Sequence, residues 1–170
     1  MNTETGVGPR GVRRWWYFAV AVAFLAGYVA LLDNPVMVDE VQNSGQVSSF
    51  AAGNVSIDPL ITMIPGYHLV LAFLCAVTGW ESVAAMRFFS MLISGFAVGA
   101  FFASARAMHV QRPALRTLQF SFLPVMFPYF LLIYTDVLSV FLVLLLLLSS
   151  VKGRFTLAGA AGLLACVVRQ

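Results

Sequence analysis

The chain has 170 residues, of which 61% are hydrophobic and only 10% charged, with a mean hydropathy of +0.90. Soluble domains carry about 25% charged residues, so this composition excludes an ordinary water-soluble fold and makes lipid the expected solvent. Net charge is +3, but basic residues do not cluster with exposed aromatics, which argues against a nucleic-acid surface. Cys75 and Cys166 lie apart in apolar runs and make neither a disulfide framework nor a metal-ligand pattern.

Residues 1–14 read as a polar cytosolic tail ending in Arg10, Arg13 and Arg14. Trp15-Trp16-Tyr17 is an interfacial anchor, and the apolar run to Leu32 is long enough for one membrane helix. It is long for a signal-peptide core, and no small-x-small cleavage site precedes Asp33. Asp33-Asn34-Pro35 then stops the helix. A first external segment follows, carrying Asp39, Glu40, Gln42, Asn43, Gln46 and Asp58. A helix over 38–50 would place Asp39, Gln42, Asn43 and Gln46 on one face by i, i+3, i+4 spacing. Asn54-Val55-Ser56 fits a glycosylation sequon, a motif short enough to arise by chance.

The apolar stretch 60–80 is broken by Pro65-Gly66, and its clean part, 67–79, is too short to span comfortably. Residues 88–105 predict a second span, whose Gly95-x-x-x-Gly99 permits close helix packing. A basic loop, 106–116, precedes a third span at 118–133 with Pro124 and Pro128 inside it. Tyr134-Thr135-Asp136 interrupts, 137–151 is a fourth span, Lys152-Gly153-Arg154 a basic turn, and 155–168 a fifth.

Charge placement decides between topologies. If 60–80 crosses, the basic loop lies outside and Asp136 in the cytosol, against the positive-inside rule. If 60–80 only dips into or lies along the outer interface, the cytosolic side holds Arg10, Arg13, Arg14, Arg106, Arg112, Arg116, Lys152 and Arg154 against Glu4 alone. The outer side then holds Asp33, Asp39, Glu40, Asp58, Glu81 and Asp136 against Arg87 and Arg169. The second arrangement is the expected one, with crossings at 15–32, 84–105, 117–133, 137–151 and 155–168 and a cytosolic N-terminus.

That topology gathers the unusual polar groups at one membrane face: Asp39, Glu40, Arg87, Asp136, Arg169 and Gln170. Ionisable groups at membrane depth are functional candidates. A carboxylate can serve as general base to a hydroxyl, and the planar fork of Arg suits a phosphate. Each has a plainer alternative. Asp39 could be a helix cap, Glu40 a first-turn acid favoured by the helix dipole, Asp136 a turn residue, and Arg87 and Arg169 headgroup anchors. His68 reads as an interfacial side chain, not a ligand.

Five pieces, in order, then resemble a known family. They are Val38-Asp39-Glu40; Asp58-Pro59-Leu60-Ile61-Thr62 with Pro65-Gly66-Tyr67; Met86-Arg87-Phe88-Phe89-Ser90; Tyr134-Thr135-Asp136; and Val168-Arg169-Gln170. Together they resemble the N-terminal part of the endoplasmic-reticulum alpha-1,2-glucosyltransferases of the GT-C superfamily, which use dolichyl-phosphate glucose. The resemblance implies an acidic pair holding the catalytic base, Asp39 first and Glu40 second. It implies a juxtamembrane helix after Asp58-Pro59, and Arg87 opening the next membrane helix. Asp136 stands where the eukaryotic pattern has Glu, and Arg169-Gln170 resembles the start of an Arg-Gln-Thr-Asn motif. Gln42-Asn43 stands where the family has a His.

The expectations are therefore an all-α polytopic membrane protein, with residues 15–170 the N-terminal portion of a GT-C-like domain. It has about five transmembrane helices and a juxtamembrane helix. The expected function is inverting transfer of a sugar, glucose by resemblance, from a polyprenyl-phosphate donor to a lipid-linked or other glycan acceptor. Asp39 and Glu40 are the catalytic candidates, Arg87 and Arg169 the donor-phosphate candidates, and Asp136, Asp58, Gln170 and Asn43 further site residues. No cofactor is expected, and the carboxylates offer too few ligands to specify a metal. The partners are the bilayer, the lipid-linked donor and the glycan acceptor, with no nucleic acid. The expected location is the endoplasmic-reticulum membrane in a eukaryote, or the cytoplasmic membrane in a prokaryote. The chain is expected to be part of a longer enzyme and inactive alone. The alternative is a transporter or channel subunit using the same acids as a cation or proton site.

Overall fold

The computed structural model describes residues 12–61 and 64–168, and its regular elements are all helical. They are α1 (Val12–Leu31), α2 (Val38–Ala51), α3 (Gly66–Thr78), α4 (Val83–Ala107), α5 (Pro113–Ser121), α6 (Asp136–Val151) and α7 (Phe155–Val168), with a 3-10 turn at Pro128–Phe130. Among the described residues only α4, at 25 residues, is long and apolar enough by length and composition to cross a membrane. The apolar parts of α1, α3, α6 and α7 are shorter.

Contacts along α1 and α4 show that the two run antiparallel. At one end the Tyr28 hydroxyl donates to the Ala84 carbonyl at 3.2 Å. At the other, Trp16 and Tyr17 pack on Phe102 with centroids 4.9 and 5.4 Å away. The segment between them, 32–82, therefore leaves and returns to the same end of the bundle. α2 and α3 pack against each other there. α2 starts where Pro35 has ended α1, and Asn34 Nδ2 caps the last turn of α1 through the Ala30 carbonyl at 2.8 Å. α3 stops at Gly79, whose left-handed conformation (φ 71°) suits glycine, and its N–H closes on the Cys75 carbonyl at 2.8 Å.

α6 runs parallel to α4. Ser94 Oγ donates to the Phe130 carbonyl at 2.6 Å, Phe96 meets Phe141 at 6.2 Å, and Ser104 Oγ reaches the Leu144 carbonyl at 3.4 Å. A turn through Gly153 (φ 69°) sends α7 back along α6. Trp16, Phe24, Leu71, Met86, Phe130 and Ile133 belong to a buried apolar cluster that joins these elements.

Two sequence expectations need correction. The third span, expected as one helix over 118–133, is helical only to Ser121. Beyond it the chain turns, makes the 3-10 turn at Pro128–Phe130 and turns again. Pro124 and Pro128 cause this, because each lacks an N–H and disfavours helix in the residue before it. The carbonyls so freed find side-chain partners: Phe130 bonds Ser94 and Ile133 bonds Asn43. Gly95 and Gly99 do not mediate close packing, because a Cβ at either would meet nothing within 4 Å. Close approaches occur at Gly27, where a Cβ would stand 2.5 Å from Leu131 Cδ1, at Gly66, where it would stand 2.6 Å from the Val167 carbonyl oxygen, and at Gly162, where it would stand 2.9 Å from Leu146 Cδ1.

Candidate functional site

The acidic pair stands in the first turn of α2, where the helix dipole favours negative charge. Its two members face different ways. Glu40 is fully buried, and its carboxylate accepts four N–H donors. These are Arg87 Nε at 3.1 Å and Nη2 at 2.8 Å, the Ile133 amide at 3.1 Å and the Met37 amide at 3.2 Å. Four donors fill the acceptor sites of one carboxylate. Burial alone would raise the Glu40 pKa, but the Arg87 hydrogen bonds and the two amides outweigh it and hold the group below the ordinary carboxylate range.

Arg87 is equally committed. It is buried, and besides Glu40 its guanidinium donates to the carbonyls of Leu31, Asn34 and Pro35. The donors that the sequence offered to a phosphate thus staple the start of α4 to the end of α1 and the start of α2. The sequence displays both residues but not their pairing. The missing signal is long-range, since 47 positions separate them.

Asp39, one residue earlier, is exposed and lines a cavity of ≈ 520 Å³. Gln42, Asn43, Leu60, Ile61, Tyr129, Tyr134 and Asp136 also line it. The Tyr134 hydroxyl approaches Asp39 Oδ2 at 3.5 Å. The Tyr134 hydroxyl is held above its usual pKa, by burial first and then by the negative charge of Asp39 and Glu40. α2 is helical through all four positions of the expected polar strip, and three of them, Asp39, Gln42 and Asn43, line this cavity together with Asp136.

Asn43 is also a strut. Its Nδ2 donates to the Ile133 carbonyl at 2.8 Å and its Oδ1 meets His68 Nε2 at 2.9 Å. With Nδ2 committed to a carbonyl, Oδ1 is an acceptor, so His68 must carry its proton on Nε2. His68 is fully buried, its Nδ1 has no partner, and burial lowers its pKa to about 4. The sequence suggested an interfacial side chain there; the structure places His68 inside the α2–α3 contact. Together Glu40 and Asn43 grip both the N–H and the C=O of Ile133.

Asp58 does not join the cavity wall. Its Oδ1 accepts from the Leu60 amide at 2.8 Å, and its own amide donates to Gln46 Oε1 at 2.7 Å. Gln46 Nε2 donates to the Ser56 carbonyl at 2.9 Å, so α2 pins the 56–58 loop. Arg169 and Gln170 lie outside the described residues. No group of three or more metal-ligating side chains occurs among the described residues.

Neither a curated protein nor a solved structure matches the chain. A family model does, over residues 33–170, which include both members of the acidic pair, Arg87 and Asp136. A match of that extent places the chain in the DIE2/ALG10 family, the endoplasmic-reticulum alpha-1,2-glucosyltransferases.

Proposed function

We propose that this chain carries the acceptor-activating part of an inverting glucosyltransferase that uses a polyprenyl-phosphate glucose donor, with Asp39 as general base. One observation carries the reading. Of two adjacent carboxylates, Glu40 is consumed by Arg87 and two backbone amides, while Asp39 remains exposed on the wall of a cavity large enough for a sugar. In this reading Asp39 takes the proton of an acceptor hydroxyl, whose oxygen attacks the anomeric carbon as the phosphate leaves from the opposite face. Tyr134 and Asp136, across the cavity, are the groups placed to orient the acceptor. Arg87 acts by position, since its donors are occupied. The phosphate role passes in this proposal to Arg169, which follows directly on α7, a helix that ends beside Gly66 at the same end of the bundle.

The membrane reading is a GT-C-like module in which α1, α4, the broken α5 segment, α6 and α7 cross and the α2–α3 pair lies at the outer interface. The antiparallel α1 and α4, the parallel α4 and α6, and the gathering of Asp39, Glu40 and Asp136 at one end support it. The family does not favour the transporter alternative.

The test is transfer of labelled glucose from polyprenyl-phosphate glucose by the full-length protein and by Asp39→Asn. A general base contributes about 10²–10⁴-fold, so the variant should lose activity on that scale while unfolding like wild type. Full activity in the variant would sink the base assignment. Labelling from a nucleotide sugar without any lipid intermediate would sink the donor class.

A further inference from the structure

The end of the bundle opposite the carboxylates holds another cavity, of ≈ 340 Å³. Phe102, Ala103, Arg106 and Ala107 of α4 form one side, and Lys152, capping α6, forms the other. We propose that this cavity binds a phosphate group, supplied by an anionic lipid headgroup or by free phosphate.

Three observations point the same way. First, the cavity brings two cations together without a counter-ion. The sequence has no Asp or Glu between Glu81 and Asp136, and none after Asp136. Among the described residues neither cation has an ion pair, the recorded salt bridge being Arg87 with Glu40. Second, the cations exceed what the local helix ends require. α4 and α6 both finish here, and each helix C-terminus carries about half a negative charge. Arg106 and Lys152 bring two full positive charges, so a positive surplus remains after both dipoles are met. Third, the rest of the lining is apolar: Phe102, Ala103 and Ala107. The Arg106 guanidinium lies 5.9 Å from the centre of the Phe102 ring, and Trp16 packs on the same ring.

Two cations over an apolar floor match a phosphate oxygen cluster attached to an apolar body. A basic pocket between membrane helices on the cytosolic side is a recognised setting for anionic headgroups. The cavity lies far along α4 from the Asp39 site, and this proposal does not depend on the transfer chemistry.

The experiment is native mass spectrometry of the full-length protein. It is released from mixed micelles holding phosphatidylinositol phosphate and phosphatidylcholine in equal amounts. The wild type should retain the anionic lipid in preference to phosphatidylcholine, and Arg106→Gln/Lys152→Gln should reduce retention by about tenfold or more. Arg154→Gln, outside the cavity lining, should leave retention unchanged. A parallel thermal scan with inorganic phosphate separates the sources. A rise in Tm that the double variant lacks, without lipid retention, assigns the site to free phosphate. Equal retention of both lipids by wild type, or equal anionic-lipid retention by wild type and the double variant, together with no phosphate effect on Tm, overturns the proposal.

Discussion

Glu40 and Arg87 meet in a two-point ion pair, Oε1 with Nε at 3.1 Å and Oε2 with Nη2 at 2.8 Å, with both side chains buried. Removing one member of such a pair strands the other as an uncompensated buried charge, at roughly 3–5 kcal/mol. Arg87→Gln and Glu40→Gln should therefore both unfold well below wild type in detergent, since each leaves the other member's charge buried without its opposite. Arg87→Lys keeps the charge but not the fork, and should fall between Arg87→Gln and wild type. Glu40→Leu/Arg87→Leu should lose less than the sum of its single variants, because neither charge is left alone. Additive losses in that cycle would show that the pair does not couple α2 to α4.

Asn43 joins three chain segments, so its replacement should affect both stability and activity. Asn43→Leu leaves the Ile133 carbonyl and the His68 Nε2–H without partners. Each stranded buried group costs about 1–3 kcal/mol. The Ile133 peptide leads directly into Tyr134 and Asp136, which face Asp39. Loosening that peptide should lower kcat more than it raises KM, since a shift of about 1 Å can cost 10²-fold. Unchanged kcat in a variant of reduced Tm would show that the clamp serves folding alone.

How far the site was legible follows the range of each interaction. The helical face of Asp39, Gln42, Asn43 and Gln46 is written in i, i+3, i+4 spacing, and α2 bears it out. The termini of α4, α6 and α7 fall close to the expected boundaries because composition changes sharply there. The different fates of Asp39 and Glu40 were not legible. They depend on Arg87 and Ile133, 47 and 93 positions from Glu40, and no local pattern records them. The burial of His68 is illegible for the same reason, since its partner Asn43 lies 25 positions away. The third span departs from its expectation for a local reason. Its apolar composition suggested a helix, and Pro124 and Pro128 overrode it.

Acid should destabilise the α2–α3 contact in two stages. His68 has a folded pKa of about 4 against an ordinary 6.5. Between those values the unfolded chain binds a proton that the native chain excludes. Stability therefore falls as pH drops through this window, by roughly 1.4 kcal/mol per pH unit. Below about 4 both states are protonated and this loss stops. Glu40 acts lower. Its folded pKa lies beneath the ordinary 4.5, so its contribution is present above 4.5 and disappears as pH falls through the folded value. Unfolding midpoints measured from pH 7 to 4 should decline for wild type and stay flatter for His68→Gln. An equal decline in both would assign the acid sensitivity elsewhere.

The glycines give the sharpest test of helix packing. A methyl group at Gly66 would stand 2.6 Å from the Val167 carbonyl oxygen, a backbone atom that can move only with α7. At Gly27 it would meet Leu131 Cδ1 at 2.5 Å, the far end of a flexible side chain. At Gly95 and Gly99 it would meet nothing within 4 Å. Gly66→Ala should therefore be the most destabilising, by about 1–3 kcal/mol as for other overpacked sites. It should also lower transfer activity, because it pushes the end of α7 away from α3. Gly27→Ala should cost less, since Leu131 can change rotamer. Gly95→Ala and Gly99→Ala should be neutral or stabilising by up to about 1 kcal/mol, the helix-propensity gain of Ala over Gly. Thermal unfolding of the four variants in one detergent gives the ranking. Destabilisation by Gly95→Ala or Gly99→Ala comparable to that of Gly66→Ala would mean that α4 packs through its glycine face after all, against a neighbour outside the described residues.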